Sequence, residues 1–276
     1  MTTWKTRIGS HLLLIVFSLL MLYPVFWWAG ASLKTMQEMT LPTIWPKTPI
    51  WDNYIEGWRF SDKFTFGHFF LNTLLMEVAN VFGGVITAAL VAFGFARLSF
   101  KLRGMWFSIL LMTLMLPTQV TIVPQYILFN NFGLTDSYVP LILPHFLGNG
   151  AFFIFLLVQF IRGIPRDLDE AAKIDGASVY GIFARIVFPL LKPALVTVGI
   201  FTFIWSWDDF FGQVLYLSSV EKFTVSLALR SFIDQFEIQW GYLLAMSLVS
   251  VLPSTVIFFL AQKHFVEGIA TTGLKG

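Results

Sequence analysis

The chain has 276 residues, of which 57% are hydrophobic and only 12% are charged, and its formal net charge is +2. A soluble domain carries roughly a quarter charged residues, so this composition, with a mean hydropathy of +0.74, predicts a membrane protein. The sequence contains no cysteine, which excludes disulfides, thiolate metal sites and cysteine nucleophiles.

Six segments are apolar enough to cross a bilayer, since a helical span needs about 20 residues. Lys5 and Arg7 precede the first segment, as in a signal peptide, but its apolar run exceeds the usual core of about 7–15 residues, so we predict an uncleaved span. The expected fold is all-α, one transmembrane domain over residues 1–276. The predicted spans are 11–31, 69–95, 105–129, 138–160, 193–216 and 242–262.

The 18 lysines and arginines are divided unequally between the two sides of these spans, and the richer side is expected to be cytoplasmic. Both termini and the loop 161–192 are on that side. Its twelve basic residues are Lys5, Arg7, Arg97, Lys101, Arg103, Arg162, Arg166, Lys173, Arg185, Lys192, Lys263 and Lys275. The six on the other side are Lys34, Lys47, Arg59, Lys63, Lys222 and Arg230.

The loop 161–192 is a polar stretch in an apolar sequence, and we predict a short helix in it. Two acids follow Pro165 in what would be the first turn, where the helix dipole favours negative charge. Ala171 and Ala172 leave one face small enough for close approach. Gly176 is suited to ending the helix and turning the chain.

The spacing from Glu170 to Pro189, namely Glu-Ala-Ala, three residues, Gly, nine residues, Ile, any residue, an apolar residue and Pro, resembles the cytoplasmic EAA loop of binding-protein-dependent ABC importers. Phe188 stands where that family more often has Leu. The resemblance implies a type I importer permease fold, with a coupling helix that rests in a cleft of the ATPase subunit and Glu170 as its polar anchor. The alternative is an ordinary interfacial helix. The implied coupling residues are Glu170, Ala171, Ala172, Asp175, Gly176, Ile186 and Pro189.

The cytoplasmic tail 263–276 resembles the ending of sugar permeases of the maltose and multiple-sugar type. In that branch the tail can reach between the two ATPase subunits. A frayed terminus is the alternative, because most chains have one. The residues that the resemblance places against the ATPase are Gly268, Thr272, Gly273 and Lys275.

Aromatic and acidic residues cluster at the outer end of the fifth span, from Trp205 to Gln213. Such residues suit carbohydrate, whose rings present C–H faces and hydroxyl rims, but an aromatic belt at the lipid headgroups explains them equally. The resembling sugar permeases commonly have Trp-Asn-Asp/Glu-Phe followed by a proline here, whereas this chain has Asp208 and Gly212.

Three polar residues of the second span lie three to five positions apart, so they share broadly one helical face. They could line a pathway or make hydrogen bonds between helices. Together with the aromatic and acidic cluster they form the candidate substrate path: Asn72, Glu77, Asn80, Trp205, Trp207, Asp208 and Asp209.

The chain has no Gly-x-x-x-x-Gly-Lys-Ser/Thr run to bind nucleotide phosphates, and its four histidines show no metal-ligand spacing. We therefore expect a non-catalytic subunit with no bound cofactor or metal, while ATP and Mg belong to a partner ATPase. An ion-coupled secondary transporter would need inverted repeats and broken helices, and an intramembrane enzyme would need a reactive constellation. Neither signal is found.

The resemblance implies the permease subunit of an ATP-driven importer that moves a sugar or oligosaccharide by alternating access. The expected partners are a second homologous permease subunit, an ATPase dimer, an external sugar-binding protein, the carbohydrate and the lipid bilayer, with no nucleic acid. The expected location is the cytoplasmic (inner) membrane of a prokaryote, which the chain crosses several times with both termini in the cytoplasm.

Overall fold

The computed structural model describes residues 4–148, 150–233 and 238–273, with side chains from residue 9 onward except those of residues 118 and 263–273. Within these ranges the regular structure is helical, and the β pairing is limited to an isolated antiparallel bridge between Ile233 and Ile238. The predicted all-α fold is confirmed.

The helices vary from single turns to more than thirty residues. In chain order they are α1 (Trp4–Ala31), α2 (Met36–Met39), α3 (Asp52–Trp58), α4 (Phe66–Arg97), α5 (Arg103–Thr113), α6 (Thr118–Asn131), α7 (Val139–Phe146), α8 (Ala151–Gly163), α9 (Asp167–Ile174), α10 (Val179–Ile182), α11 (Phe188–Leu190), α12 (Lys192–Trp207), α13 (Phe210–Tyr216), α14 (Val225–Arg230) and α15 (Trp240–Gly273). A π-helical turn, Phe183–Val187, joins α10 to α11, and a 3₁₀ turn, Val220–Lys222, precedes α14.

Among the described residues, four stretches are long and apolar enough to cross a membrane, and they correspond to the first, second, fourth and sixth predicted spans. They are Gly9–Ala31, Phe66–Arg97, Val139–Gly163 and Trp240–Gln262. A fifth candidate is a pair of helical segments, Val179–Leu190 and Lys192–Trp207, bent by 76°. The predicted fifth span, 193–216, is interrupted after α12, since Asp208 and Asp209 separate α12 from α13.

The third predicted span, 105–129, is formed by two helices, α5 and α6. Pro117 lies between α5 and α6 as the N-cap of α6. Proline has no amide hydrogen and disfavours the helical conformation in the residue before it. At 1.5 Å per residue α5 and α6 are about 16 and 21 Å long, so neither alone crosses a hydrocarbon core of about 30 Å.

The chain divides into two compact units, of which the first comprises Met1–His68 and Ala228–Leu252. In this unit Trp28 donates its indole N–H to the carbonyl of Leu244 at 3.1 Å. Gly30 is required by close approach, because a Cβ there would lie 1.9 Å from the carbonyl oxygen of Ile44.

The second unit comprises Phe69–Leu227 and Pro253–Gly276 and holds the larger core. Alanines repeat every four residues on α4, so they form a stripe of small side chains that lets other helices approach closely. Leu157 of α8 and Val198 of α12 are fully buried in the same cluster. The alanines of the stripe are Ala88, Ala92 and Ala96.

Candidate functional site

The predicted short helix in the loop 161–192 is α9, and its ends are set by the residues that the sequence indicated. Three acids, Asp167, Asp169 and Glu170, lie in its first turn, where they complement the helix dipole. At the other end Gly176 has a φ of +80°. Its N–H donates to Lys173 O at 3.0 Å.

The next residue completes this C-cap. The Ala177 N–H donates to Ala172 O at 2.8 Å. The two bonds together form a Schellman motif, which needs a left-handed residue and so favours glycine. The α9 helix therefore has a sharply defined end.

The two faces of α9 differ in burial. Ala172 and Asp169 face the protein, and Asp169 is only 7% exposed. Glu170 and Ala171 are exposed, and so are Asp175 and Gly176 just beyond the helix. Apolar side chains share the exposed surface, and they are Leu168, Ile174, Val179 and Tyr180, with Ile174 87% exposed.

A buried ion pair joins α9 to the end of α4. Arg97 Nε lies 2.9 Å from Asp169 Oδ2, and the two side chains are 5% and 10% exposed. The contact is an ion pair rather than a well-directed hydrogen bond, because the Nε–H has no aligned acceptor among the described residues. Arg97 also donates from Nη2 to the carbonyl of Ile164 at 2.8 Å.

The sequence analysis did not select Arg97 or Asp169. The available signal was that Asp169 lies three residues before Ala172, so both occupy one helix face. The residue that the EAA pattern emphasises, Glu170, points outward. A buried charge without a partner is costly, and Arg97 is the charge that accounts for the burial of Asp169.

The chain returns toward α12 through the π turn. Ile186 and Phe188 pack against the core cluster around the fully buried Val187, while Pro189 is exposed. Pro189 cannot donate a backbone hydrogen bond, and its ring crowds the carbonyl four residues earlier. The helix widens just before it, with Phe188 N–H donating to Phe183 O.

The tail predicted to contact an ATPase continues as the last part of α15, which ends at Gly273. Only the helical backbone is described for Gly268, Thr272 and Gly273, and Lys275 lies outside the described residues. Their assignment stays a prediction.

A cavity of about 540 Å³ lies among α4, α6, α7, α12 and α13. Its wall mixes aromatic, amide and hydroxyl side chains. Asp209 is the charged side chain among its described lining residues, which are Met76, Gln119, Thr121, Ile122, Gln125, Pro140, Leu141, Pro144, His145, Trp205, Ser206, Asp209, Phe211, Gly212, Gln213 and Tyr216.

The aromatic and acidic cluster divides between this cavity and the core. Trp205 is 53% exposed and lines the cavity, whereas Trp207 is 4% exposed and stacks on Phe203 at 5.2 Å. Helical residues two apart do not share a face, so the two indoles point in different directions. Asp208 is the exposed C-cap residue of α12.

Asp209 is held by its role as the N-cap of α13. Its Oδ1 accepts the N–H of Gly212 at 2.9 Å. A Cβ at Gly212 would lie 2.2 Å from Asp209 Oδ2, so glycine leaves room for the carboxylate. This close approach explains why the chain carries glycine soon after the acidic pair.

The three polar residues of α4 that were predicted to share one face do not all lie near the cavity. Asn80 is buried and donates to Ser206 Oγ at 2.6 Å, and Glu77 is fully buried beside the same serine. Ser206 itself lines the cavity. Asn72 instead donates to the carbonyls of Glu221 and Phe223, at 2.9 and 3.0 Å.

Asp136, which the sequence analysis did not select, organises a loop of the second unit. Its carboxylate accepts hydrogen bonds from the N–H groups of Ser218 and Ser219, each at 3.0 Å, and from Ser219 Oγ at 2.6 Å. Lys222 Nζ lies 2.9 Å from Oδ2. These donors stabilise the ionised form and hold the pKa of Asp136 well below its usual value.

Replacing Asp136 by asparagine is expected to loosen this loop at neutral pH. Because the folded-state pKa is depressed, the ionised carboxylate stabilises the folded state fully above the unfolded pKa of about 3.9, and this stabilisation declines as the pH falls from there toward the lower folded-state pKa. Asparagine tolerates the positive φ of 53° at this position, so the change isolates the charge.

Hydrogen exchange of the Ser218 and Ser219 amides across pH 3 to 7 measures this effect, with Asp62→Asn as an exposed control. The protection of the parent chain should begin to decline below about pH 4, and Asp136→Asn should be less protected at pH 7. Equal protection in both proteins at pH 7 would show that the carboxylate does not hold the loop.

Residues 80–270 match the family described as the binding-protein-dependent transport system inner membrane component. This chain belongs to that family. It is an ABC transporter permease, of the kind that forms the membrane subunits rather than the catalytic ones.

Curated relatives match this permease over nearly its whole length. The arabinooligosaccharides transport system permease protein AraQ of Bacillus subtilis is 32% identical, with 98% of this chain and 96% of that protein covered. The sn-glycerol-3-phosphate transport system permease protein UgpE of Yersinia pestis is 33% identical, with 95% of each covered.

Solved structures share the fold of this permease. A chain of a bacterial ABC transporter involved in the import of the acidic polysaccharide alginate superimposes with a TM-score of 0.81, over 96% of this chain and 99% of that one, at 21% identity. A second alginate transporter structure, in complex with an alginate pentasaccharide-bound periplasmic protein, gives a TM-score of 0.65 at 16% identity. The importer permease fold expected from the sequence is confirmed.

Proposed function

We propose that this permease carries a sugar or oligosaccharide across the cytoplasmic membrane by alternating access, driven by a separate ATPase that docks on α9. The observation that carries the proposal is the two-sided construction of α9. Its inner face is fixed to α4 through Asp169, and its outer face presents Glu170 beside exposed apolar side chains.

The outer face of α9 has the composition of a docking surface. Protein interfaces combine apolar contacts with a few charged groups that set orientation. Here Glu170 supplies a carboxylate, and Leu168, Ile174 and Tyr180 supply exposed apolar area. An ATPase cleft with a basic group for Glu170 and an apolar wall would fit this surface, and ATP with Mg would be bound by that partner.

The inner face provides the route for coupling. Movement of α9 would act on Arg97, the last residue of α4. The same helix carries Asn80, which is bonded to Ser206 in the cavity wall. In this proposal, closure of the ATPase dimer shifts α9 and tilts α4, and the cavity changes its access. The cargo must bind the two states differently, since equal affinity would shift nothing.

The relatives and the cavity together support a carbohydrate cargo. AraQ is named for arabinooligosaccharides, and the structurally similar transporters are described as importing alginate. The cavity offers amide and hydroxyl groups with neighbouring aromatic surfaces. The proposed assembly also contains a second homologous permease subunit, an ATPase dimer and an external binding protein. The last of these is supported by the alginate transporter structure, which is in complex with a periplasmic protein. Both termini of this chain would face the cytoplasm.

Crosslinking tests the docking of α9 directly, because the chain has no cysteine of its own. Ala171→Cys and Tyr180→Cys place single thiols on the exposed surface, and Asp62→Cys is a control on the predicted external side. A reagent with a thiol-reactive maleimide at one end and a photoreactive group at the other, which needs no cysteine on the partner, should link the first two variants, and not the third, to the co-expressed ATPase. Failure of both α9 variants to capture it, with and without nucleotide, would reject the proposal.

A further inference from the structure

We propose that the cavity beneath Trp205 selects neutral or cationic cargo and disfavours anionic cargo. The inference rests on the proposed function, in that the cavity is taken to lie on the cargo path. Membership in the family leaves the charge of the cargo open, because UgpE is named for a phosphate ester and AraQ for oligosaccharides.

The formal charge that the described residues contribute to the lining is negative. Among the described residues around the cavity, Asp209 is the carboxylate and none is a lysine or arginine. An anionic sugar would therefore meet a like charge from this subunit without a basic partner. Naturally specific sites commonly exclude a ligand in this way, by repulsion rather than by loss of attraction.

Two further acidic residues lie near Asp209. Asp208 precedes it in the chain and is exposed. Glu77 of α4 is fully buried beside Ser206, which lines the cavity, and it lies near enough to both aspartates to interact with them electrostatically. The charge that reaches the cavity wall is therefore that of Asp209.

Two basic residues of the same unit are paired away from the cavity. Lys222 has its Nζ bonded to Asp136, at 2.9 Å to Oδ2 and 2.6 Å to the carbonyl oxygen. Arg97 is paired with Asp169 at the far end of α4. A cleft with charge of one sign and low-dielectric walls concentrates ions of the opposite sign, so this cavity should concentrate cations.

The remaining polar groups suit hydroxyls rather than charges. Gln119 and Gln125 offer amides that both donate and accept, and Gln213 is fully buried with its own amide bonded to Ser206 O and Thr224 Oγ1. A neutral oligosaccharide could exchange hydrogen bonds with this wall without a counter-charge. The chemical class that fits is therefore a neutral sugar chain.

Charged thiol reagents can measure this selectivity in the assembled importer in lipid nanodiscs. Gln119→Cys places the chain's single thiol in the cavity wall, and Asn131→Cys places it on an exposed position of the same helix, α6, as the control. Trimethylammonium-ethyl and sulfonato-ethyl methanethiosulfonates carry opposite charges on the same reactive group. The readout is the ratio of their modification rates, followed by mass spectrometry of this chain.

The cationic-to-anionic rate ratio should be about tenfold higher for Gln119→Cys than for Asn131→Cys at low salt, and should fall as ionic strength rises. Adding Asp209→Asn should lower the ratio at least threefold, since asparagine preserves the N-cap but removes the charge. A ratio equal to the control, or unchanged by Asp209→Asn, would overturn the proposal.

A second cysteine position in the cavity lining shows whether a lack of reaction at residue 119 is due to poor access of the reagents at that one position. Gln125→Cys lies on the same lining and should show the same preference. If neither reagent reacts at either position, with or without ATP, the cavity admits no polar molecule of this size and the proposal also fails. The rates need neither cargo nor ATP hydrolysis, so their outcome is independent of whether α9 docks an ATPase.

Discussion

Replacing Asp169 by alanine is expected to destabilise this permease by about 3–5 kcal/mol, because it leaves a buried arginine without its counter-charge. Arg97 is 5% exposed and has Asp169 as its carboxylate partner. Thermal unfolding of the purified chain in detergent measures the loss, and ATP-dependent uptake should fall with it.

Two further variants test whether the effect is specific to the buried pair and whether the pair is needed for uptake as well as for stability. Asp167→Ala removes an exposed acid from the same helix turn and should change the free energy of unfolding by about 0.5 kcal/mol or less. The double variant Asp169→Leu with Arg97→Met replaces the pair by apolar groups and should recover most of the stability. If uptake also recovers fully in the double variant, α9 needs no ion pair to act on α4. Wild-type stability in Asp169→Ala would contradict the burial argument.

Replacing Glu170 by lysine is expected to abolish ATP-dependent uptake while leaving the fold intact. The side chain is exposed in the permease alone, so the free energy of unfolding should change by no more than about 0.5 kcal/mol. In the proposed complex the same carboxylate becomes a partly desolvated interface charge. Disrupting such a charge costs about 2–5 kcal/mol of binding, which corresponds to a loss of ATPase co-purification.

Uptake into proteoliposomes and recovery of the ATPase on the tagged permease are the measurements. Glu170→Gln keeps the shape and removes only the charge, so it should lie between the parent and Glu170→Lys. Normal uptake in Glu170→Lys, with the ATPase still bound, would count directly against docking on α9. Substitutions at these adjacent residues are thus predicted to reduce uptake for different reasons. Asp169→Ala destabilises the fold, whereas Glu170→Lys prevents the ATPase from docking.

Local sequence signals were sufficient for α9 and for several spans. Pro165 and Gly176 bracket the helix because each restricts or permits particular backbone angles, and these effects depend on adjacent residues. The second span was similarly clear, since α4 has no proline in its 32 residues. The third span was less clear. Its mean hydropathy is calculated over a window that includes Pro117, and such a mean does not indicate where a helix ends.

The long-range contacts could not be predicted from the same signals. Arg97 and Asp169 are far apart in sequence and meet only when α4 and α9 are packed. Asp136 likewise depends on a loop more than 80 residues later. The indoles of Trp205 and Trp207 point in different directions because two residues along a helix are rotated relative to each other. A count of aromatic residues in the segment does not reveal this.

Three of the polar contacts of α4 are spaced along its length, near its middle and toward its two ends, in the arrangement of a lever with a central pivot. Asn80, near its middle, is fastened to Ser206 at 2.6 Å, while Arg97 at one end holds α9 and Asn72 toward the other holds the backbone at Glu221 and Phe223. A rigid rod that turns about a central fulcrum moves its ends in opposite directions. If the ATPase moves α9, Arg97 at one end of α4 would move with it, and the loop at Glu221 near the other end would move in the opposite direction. One rotation of α4 would then close the cavity toward one side of the membrane while opening it toward the other.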